Sequence, residues 1–389
     1  MYIILCLGAA HTVLTPYWSG KLGGKQEMFT HQCSKRGGDL DLKFRGLNAV
    51  AVALTGLSLT GVGVLVLPSR FCEVSGPVST GLKNRLEMQS DESNAKLGVS
   101  LPIFIVDTFT GQPFSGNPAA VCLVDGLNDI PDTMKQSMAA ELNLTETAIV
   151  TKIRIKDGFD SAPLFRLRWF TPTNEVALCG HATLAAAAVL FFCCNNPNER
   201  LEFETMSGVL GVRKQGRSIV LSFPGHKPKS LNAMLRKEAK PLVKEILKDL
   251  EPADLAYCFK TKNLLIRLED SCSRTMLEEL EVSPKKMMSL HDGSLFIGVI
   301  LTVKGGEAYE GYDFFSRYFS PWDGIPEDPA TGLTHTVLAP YWSEQLSGKQ
   351  VLHAYQCSKR GGDLNLKVRG SRVEIGGHFH VIVKGVIHL

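Results

Sequence analysis

Three polar side chains in this sequence have the chemistry of proton transfer and stand beside segments that are otherwise apolar or turn-forming. Glu146 lies between two threonines, His181 follows a Cys-Gly pair, and Asp328 precedes a proline. Imidazoles and carboxylates are the side chains that most often act as general acids and bases. Glu146 is the best candidate for a base that removes a proton from a substrate C–H bond.

Two apolar helices are predicted directly after glycine-containing turns, one running on from Gly180 into residues 181–192 and one from Gly332 into residues 333–342. A helix without a polar face is buried. Its first turn offers unpaired backbone N–H groups and the positive end of the helix dipole. These two starts, about 150 residues apart in sequence, could face one cleft and stabilise a carboxylate while its neighbouring C–H bond loses a proton.

Each of these residues also has a purely structural interpretation. Glu146 fits a capping or surface carboxylate, and Asp328 before a proline fits the first position of a turn. His181 fits a loop histidine at the start of a core helix. His378 and His380 alternate along a terminal strand, a pattern typical of exposed side chains rather than ligands.

The composition is that of an ordinary globular protein. The chain has 389 residues, of which 44% are hydrophobic and 21% charged, with a formal net charge of +3. So small a charge, without a long basic run, argues against a nucleic-acid partner. The ten cysteines form no C-x-x-C motif, so no metal is expected. Free thiols fit a reducing compartment, and we expect a cytoplasmic protein.

The first hundred residues contain a partial copy of a later segment. Residues 11–46 align without a gap with residues 335–370, and about 25 of the 36 positions are identical. The front copy lacks the Glu-Asp-Pro turn that precedes the later one. We interpret residues 1–46 as the remnant of a tandem duplication or of a joined gene model.

Residues 47–100 are expected to be an apolar stretch followed by a linker. Residues 47–67 carry no charge, and their length is sufficient for a membrane span. The stretch is nevertheless rich in Gly and Val and contains Ser, Thr and Asn, so a membrane anchor is the less favoured interpretation. The polar residues that follow are typical of a linker.

Residues 101–389 divide into two similar halves, each with several short strands around one apolar helix. The sequence predicts an α+β fold in which residues 101–223, with a C-terminal strand, form lobe 1 and residues 224–389 form lobe 2. A cleft is expected between the lobes. Near the lobe boundary, an amphipathic helix over residues 241–250 is expected to begin at Pro241, since proline suits a first turn.

Five motifs in residues 101–389 resemble the PhzF-like family of phenazine-biosynthesis proteins, and closely its animal members. They are GNPAAV at 116–121, NLTETA at 143–148, LRWFTP at 167–172, LCGHATLA at 178–185 and EDPATG at 327–332. The resemblance extends in order over about three-quarters of the chain. It implies a diaminopimelate-epimerase-like fold, with two pseudo-symmetric lobes that are each a β-barrel around a central helix.

The resemblance also implies an isomerase without a cofactor, which moves a proton on a small carboxylate-bearing substrate. Glu146 takes the place of the general acid/base, and His181 and Asp328 are similar to the accompanying catalytic residues. A homodimer is expected. The positions implied for substrate binding are Gly180, Gly332, Thr331, Thr334 and Asn117.

One position departs from the family pattern. Relatives usually have Ser-Ala or Ser-Thr after the glycine of the second turn, whereas Leu333 and Thr334 stand here. Leu333 removes a hydroxyl expected near the substrate, and Thr334 replaces it only if the helix start shifts by one residue. A catalytically weak or inactive protein that acts as a protein-binding module is therefore the alternative. A two-thiol racemase using Cys179 is disfavoured, because the second turn offers Asp328 and no cysteine.

Overall fold

The computed structural model describes residues 99–126, 129–306 and 311–389 and, nearer the N-terminus, five short strands. These are β1 (Tyr2–Ile4), β2 (Ser34–Arg36), β3 (Asp39–Asp41), β4 (Val50–Ala53) and β5 (Leu65–Val66). Apart from these strands and residues 99–100, the predicted partial repeat (1–46) and the predicted apolar stretch and linker (47–100) lie outside the described residues. Residues 1–94 and 95–389 form two separate units. Within the described residues, no helix combines the length and the apolar character needed to cross a membrane.

The α-helices of the second unit include the two that were predicted after Gly180 and Gly332, and both begin at these glycines. Every residue of the first is buried, as expected for a helix without a polar face; it continues into a π-helical turn, Val189–Cys193. The helices are α1 (Asp132–Leu142), α2 (Gly180–Ala188), α3 (Ala233–Leu247), α4 (Arg274–Glu279), α5 (Pro284–Leu290) and α6 (Gly332–Gln345).

Short strands form a first set around α2 and a second set around α6. The first set comprises β6 (Ser100–Thr108), β7 (Asn117–Val124), β8 (Glu146–Lys152), β9 (Leu164–Phe170), β10 (Glu175–Val176), β11 (Arg200–Thr205), β12 (Gly208–Gln215) and β13 (Ser218–Pro224). The second comprises β14 (Lys229–Ser230), β15 (Pro252–Cys258), β16 (Asn263–Leu268), β17 (Gly298–Lys304), β18 (Phe314–Phe319), β19 (Val351–Gln356), β20 (Gly362–Arg369), β21 (Arg372–Gly377) and β22 (Phe379–His388).

The two sets pair their strands in the same order of directions. In the first, β6–β7 is antiparallel, β7–β8 parallel, β8–β9 antiparallel, β9–β11 parallel, and β11–β12 and β12–β13 antiparallel. The same alternation holds from β15–β16 through β16–β17, β17–β18, β18–β19 and β19–β20 to β20–β21. Parallel neighbours need a crossover connection, and α2 and α6 supply equivalent ones. Each half is thus a sheet wrapped around its own buried helix.

The C-terminal strands join the two halves. β21 pairs with β13, and β22 pairs with β6 along most of its length. The end of the chain therefore returns to the half that contains α2, while the lobe boundary at residue 224 remains a proposal.

A second link between the halves lies at a proline inside α6. Pro340 has no N–H group and cannot bond to the carbonyl of Thr336, four residues earlier. The backbone N–H of His226, in the connection between the halves, donates to that carbonyl at 2.9 Å. The hydrogen-bond donor that Pro340 lacks is therefore supplied by the connecting segment.

The expected start of α3 at Pro241 was wrong. The helix begins at Ala233, because the side chain of Asn232 accepts a hydrogen bond from the backbone N–H of Leu235 and caps the first turn. Pro241 lies inside the helix. Helices α4 and α5, which are short, were not predicted.

Candidate active site

Glu146 and His181 meet where β8 and α2 begin. Glu146 is the first residue of β8, and His181 is the second residue of α2. The Oε2 atom of Glu146 lies 3.1 Å from Nε2 of His181, and the two side chains are only 10% and 6% exposed. This oxygen accepts no aligned hydrogen bond within the part of the chain that the structure describes. A buried carboxylate oxygen left without a hydrogen bond is free to take up a proton.

The other edge of the His181 ring faces a thiol. The Sγ atom of Cys179 lies 3.3 Å from Nδ1, and Cys179 is the N-cap residue of α2. The imidazole thus contacts the sulfur of Cys179 through one nitrogen and the carboxylate of Glu146 through the other. All three side chains are buried.

Asp328 lies in the turn before α6 and is held at every oxygen. Its Oδ1 accepts from the side-chain amide of Asn117 at 2.7 Å, and its Oδ2 accepts from the Thr331 hydroxyl at 2.5 Å. Its backbone carbonyl accepts from the side-chain amide of Gln356 at 2.7 Å. Gln356 also accepts from the backbone N–H of Thr331 at 2.9 Å. These bonds fix the position of the Asp328 carboxylate relative to the start of α6.

A row of hydrogen bonds connects the two groups. The Thr145 hydroxyl lies 3.4 Å from His181 Nε2 and donates to the side-chain oxygen of Asn117 at 3.1 Å. The amide of Asn117 in turn donates to Asp328. Glu146, His181 and Asp328, which are remote in sequence, are therefore brought together by the fold.

The starts of α2 and α6 lie against each other beside this cluster. A Cβ atom added to Gly180 would lie 3.6 Å from the Cα of Gly332, and one added to Gly332 would lie 3.3 Å from the ring of Phe109. Phe109 is fully buried and has a φ of 57°, which is uncommon for a bulky residue. Its ring closes one side of the junction. Glycine thus lets the first N–H groups of both helices, which have no partner within their helices, come close together.

The remaining predicted substrate residues lie in the same region. Thr331 is the N-cap of α6, and its hydroxyl binds Asp328. The hydroxyl of Thr334 is turned to its own helix and donates to the carbonyl of Thr331 at 2.9 Å. It therefore does not replace the hydroxyl that Leu333 lacks.

Burial and neighbouring charges shift the pKa values of Asp328, His181 and Cys179. Burial raises the pKa of Asp328, and the charge of Glu146 adds to the effect although His181 opposes it. Burial by itself would lower the pKa of His181, but Cys179 and Glu146 beside it outweigh burial and hold it well above its ordinary value. Burial, together with Glu146, raises the pKa of Cys179. The site therefore favours a protonated imidazole beside a neutral thiol.

The same three side chains are a conceivable set of metal ligands. One ligand atom each from Glu146, Cys179 and His181 lies within 4.8 Å of the others. The sulfur, however, faces Nδ1 and the carboxylate faces Nε2. The two closest contacts of the ring thus involve different nitrogens, and only one of these nitrogens could bind an ion shared with the other two side chains.

The equivalent strand start in the second half carries no acid. β17 occupies the place that β8 has in the first half, and it begins at Gly298. A Cβ atom there would lie only 2.6 Å from the side-chain oxygen of Asn263. The hydroxyl of Tyr318 occupies this space and donates to the same oxygen at 3.3 Å. The two halves thus share a pairing pattern but differ at the position of Glu146.

Sequence reasoning missed Thr145 and Gln356. Thr145 stood next to Glu146 in a quoted motif, so its position was a usable signal. Gln356 lies on β19, 28 residues after Asp328, and no local pattern connects the two. The contact depends on the parallel pairing of β19 with β18.

Comparison with known proteins agrees with this architecture. The chain is 46% identical over 295 residues to the phenazine biosynthesis-like domain-containing protein of Bos taurus, covering 74% of this chain and 99% of that protein. It is 40% identical over 284 residues to a Pseudomonas aeruginosa protein named as an uncharacterized isomerase, covering 73% and 97%. A crystal structure of a PhzF family protein from Enterococcus faecalis is similar with a TM-score of 0.64 and 35% identity, over 75% of this chain and all of that one.

These similarities confirm the predicted α+β fold of the diaminopimelate-epimerase-like type, with two pseudo-symmetric lobes that are each a barrel around a central helix. A family model described as phenazine biosynthesis-like protein matches residues 106–385. That range contains both central helices and every residue of the cluster around Glu146. The chain therefore belongs to the phenazine biosynthesis-like protein family.

Proposed function

We propose that this protein is a cofactor-independent isomerase or epimerase that moves a proton on a small carboxylate-bearing substrate, with Glu146 as the general acid/base. One observation carries the proposal: Glu146 presents a buried oxygen without an aligned hydrogen bond, 3.1 Å from the imidazole of His181. A base in such a site is shielded from water and keeps a lone pair for the substrate. The name of the Pseudomonas aeruginosa relative agrees with isomerase chemistry.

The substrate carboxylate would bind at the junction of α2 and α6. The first N–H groups beside Gly180 and Gly332 would donate to it, and the positive ends of both helix dipoles would favour its charge. As the neighbouring C–H bond breaks, negative charge spreads onto the carboxylate. Donors fixed in advance at that position stabilise the charge in the transition state.

The proton would pass first to Glu146. The substrate C–H bond breaks, an O–H bond forms on the side-chain carboxylate of Glu146, and the electron pair of the C–H bond remains on the substrate. Nε2 of His181 lies beside Oε2 of Glu146, where the imidazole can balance the charge of the carboxylate. Return of the proton to another carbon gives an isomer, whereas delivery of a proton from Asp328 on the other side gives an epimer. Asn117, Thr331 and Thr334 complete the proposed substrate site, and a cytoplasmic homodimer remains part of the proposal.

The protein-binding alternative retains one supporting observation. Leu333 stands half-buried at the second position of α6, where a relative would carry a hydroxyl. Because the hydroxyl of Thr334 is engaged with Thr331, the site offers one polar group fewer to a substrate. Activity of the unmodified chain therefore decides between the two functions.

Solvent exchange tests the proposal directly. The protein would be incubated in D₂O with a panel of small amino and hydroxy acids, and deuterium at the substrate carbon followed by NMR. Glu146→Gln should slow the exchange at least about a hundredfold, the lower range for a lost general base. Glu141→Gln, at an exposed position on α1, is the matched control and should exchange like the wild type.

Two results would contradict the proposal. Undiminished exchange in Glu146→Gln would assign the proton to another group. No exchange by the wild type with any acid, together with exchange by Leu333→Ser, would show that the architecture persists without its chemistry, which favours the protein-binding function.

A further inference from the structure

We propose that Cys179 is a positioning residue for His181, whose thiol is the hydrogen-bond partner of Nδ1 in both protonation states of the ring. The proposal rests on the proposed proton-transfer function of the site. It assigns to the thiol a role that acts through the imidazole and needs no contact between sulfur and substrate.

The Nε2 side of the ring faces hydrogen-bond acceptors. Glu146 Oε2 lies 3.1 Å away and Thr145 Oγ1 lies 3.4 Å away. The hydroxyl hydrogen of Thr145 is directed at the side-chain oxygen of Asn117, 3.1 Å away, and at the carbonyl of Pro118, 3.0 Å away. Thr145 therefore presents a lone pair to the ring. Nε2 must carry a hydrogen whether the imidazole is charged or neutral.

The proton that the ring gains or loses is then the one on Nδ1. In the imidazolium, Nδ1–H needs an acceptor, and in the neutral ring the Nδ1 lone pair needs a donor. Cys179 Sγ, at 3.3 Å, is the hydrogen-bond partner of this atom within the described residues. His181 is 5% exposed and Cys179 is 7% exposed, so bulk water does not serve in its place. A thiol can accept in the first state and donate in the second.

The surroundings keep this sulfur from acting as a base of its own. Burial and the nearby Glu146 raise the pKa of Cys179, which keeps it as a thiol. The sulfur contacts the ring at Nδ1, whereas the carboxylate of Glu146 contacts it at Nε2. Asp328, and no second cysteine, stands in the turn before α6. The thiol is thus placed to orient the ring, so that Nε2 stays beside Glu146 and Thr145 throughout a reaction cycle.

Two substitutions separate positioning from thiol chemistry. Cys179→Ala removes the partner of Nδ1, whereas Cys179→Ser keeps a group that can both donate and accept. Cys258→Ala, at a buried free cysteine on β15 outside this cluster, controls for the loss of a buried thiol. Thermal unfolding establishes that each variant is folded before it is compared.

The first measurement is independent of catalysis. Protein labelled with [¹⁵N]histidine is titrated by NMR, and the His181 signals are assigned by their absence in His181→Gln. In the wild type, Nε2 should keep its hydrogen at every pH while Nδ1 alone titrates. In Cys179→Ala the pKa of His181 should fall towards its ordinary value, because the imidazolium has lost an acceptor. Cys179→Ser and Cys258→Ala should titrate like the wild type.

The second measurement is the rate of solvent deuterium exchange. Cys179→Ala should lose about tenfold to a hundredfold, the range for one hydrogen bond to a charged group, and Cys179→Ser should recover most of that loss. Equal losses in Ser and Ala would overturn the proposal in favour of a thiol that itself carries a proton. An unchanged His181 titration in Cys179→Ala would also overturn it. A wild-type protein without exchange activity but with the expected titration would contradict the proposed function alone.

Discussion

Gly180 and Gly332, the first residues of the two buried helices, lie in contact although they come from different halves of the fold. A Cβ on Gly180 would be 3.6 Å from the Cα of Gly332, and a Cβ on Gly332 would be 3.8 Å from the Cα of Gly180. The backbone N–H groups of two helix starts thus converge at one point, next to Glu146 and Asp328.

A methyl group at Gly332 should weaken substrate binding more than folding. In Gly332→Ala the new Cβ would lie 3.3 Å from the Phe109 ring, and this crowding is offset by the better helix propensity of alanine. The free energy of unfolding should therefore change by less than about 1 kcal/mol. KM should rise about tenfold or more, as when a hydrogen bond to a charged group is lost.

Urea unfolding and exchange kinetics measure both quantities for Gly332→Ala. Gly211→Ala, where an added Cβ meets no atom within 4 Å, is the control. An unchanged KM in Gly332→Ala would place the substrate carboxylate elsewhere.

Replacement of Gln356 should release the Asp328 turn. Gln356→Leu leaves the backbone N–H of Thr331 and the carbonyl of Asp328 without their partners. Each unpaired buried group costs about 1–3 kcal/mol, so the loss of both partners should lower the free energy of unfolding by about 2–6 kcal/mol. Urea denaturation measures the loss, and Gln350→Leu, at an exposed glutamine, should show little of it. A stability loss as small as that of the control would mean that the turn does not depend on Gln356.

His335 should make the fold sensitive to acid. It is fully buried, its Nδ1 donates to the carbonyl of Thr331 at 2.7 Å, and its Nε2 has no hydrogen bond within the described residues. Burial lowers the pKa of His335 from 6.5 to about 4. The unfolded chain therefore binds the proton first as the pH falls, so stability is complete above about pH 6.5 and is lost towards pH 4.

The contribution of His335 can be measured by comparing the pH dependence of stability in the wild type and in His335→Asn. Between pH 7 and pH 5 the wild type should lose about 2 kcal/mol more stability than His335→Asn, whose amide can still donate to Thr331. Denaturant unfolding at both pH values measures this. The same pH dependence in both proteins would show that His335 is not the group responsible.

Residues 95–389 should fold without the preceding segment. They form one unit, separate from residues 1–94, and the Bos taurus relative aligns over 99% of its own length with 74% of this chain. A chain that begins at Ala95 should match the full chain in melting temperature within a few degrees and in exchange activity. A melting temperature lowered by many degrees would make the front segment part of the fold.

The local parts of the fold could be predicted from the sequence, and the long-range parts could not. Helices α2 and α6 were predicted because a uniformly apolar composition can be recognised from adjacent residues alone. The start of α3 was missed because Pro241 is a common first-turn residue and Asn232, the true cap, is an equally common loop residue.

In the candidate site, too, the local features could be predicted and the long-range contacts could not. Glu146, His181 and Asp328 were chosen from short motifs, whereas the hydrogen bonds from Thr145 and Gln356 that connect and hold them depend on strand pairings between distant segments. Such contacts leave no local pattern. Their identification required the fold.

The glycine at the start of β17 has a consequence for the orientation of a bound substrate. Two halves with the same pairing order would, with the same residues at equivalent positions, form a site with twofold symmetry, and a substrate could enter it in either of two orientations. Glu146 stands at one of these positions, whereas Gly298 and the Tyr318 hydroxyl occupy the other. In the proposed reaction the two sides of the substrate would therefore meet different groups, and its bound orientation would decide which carbon faces Glu146.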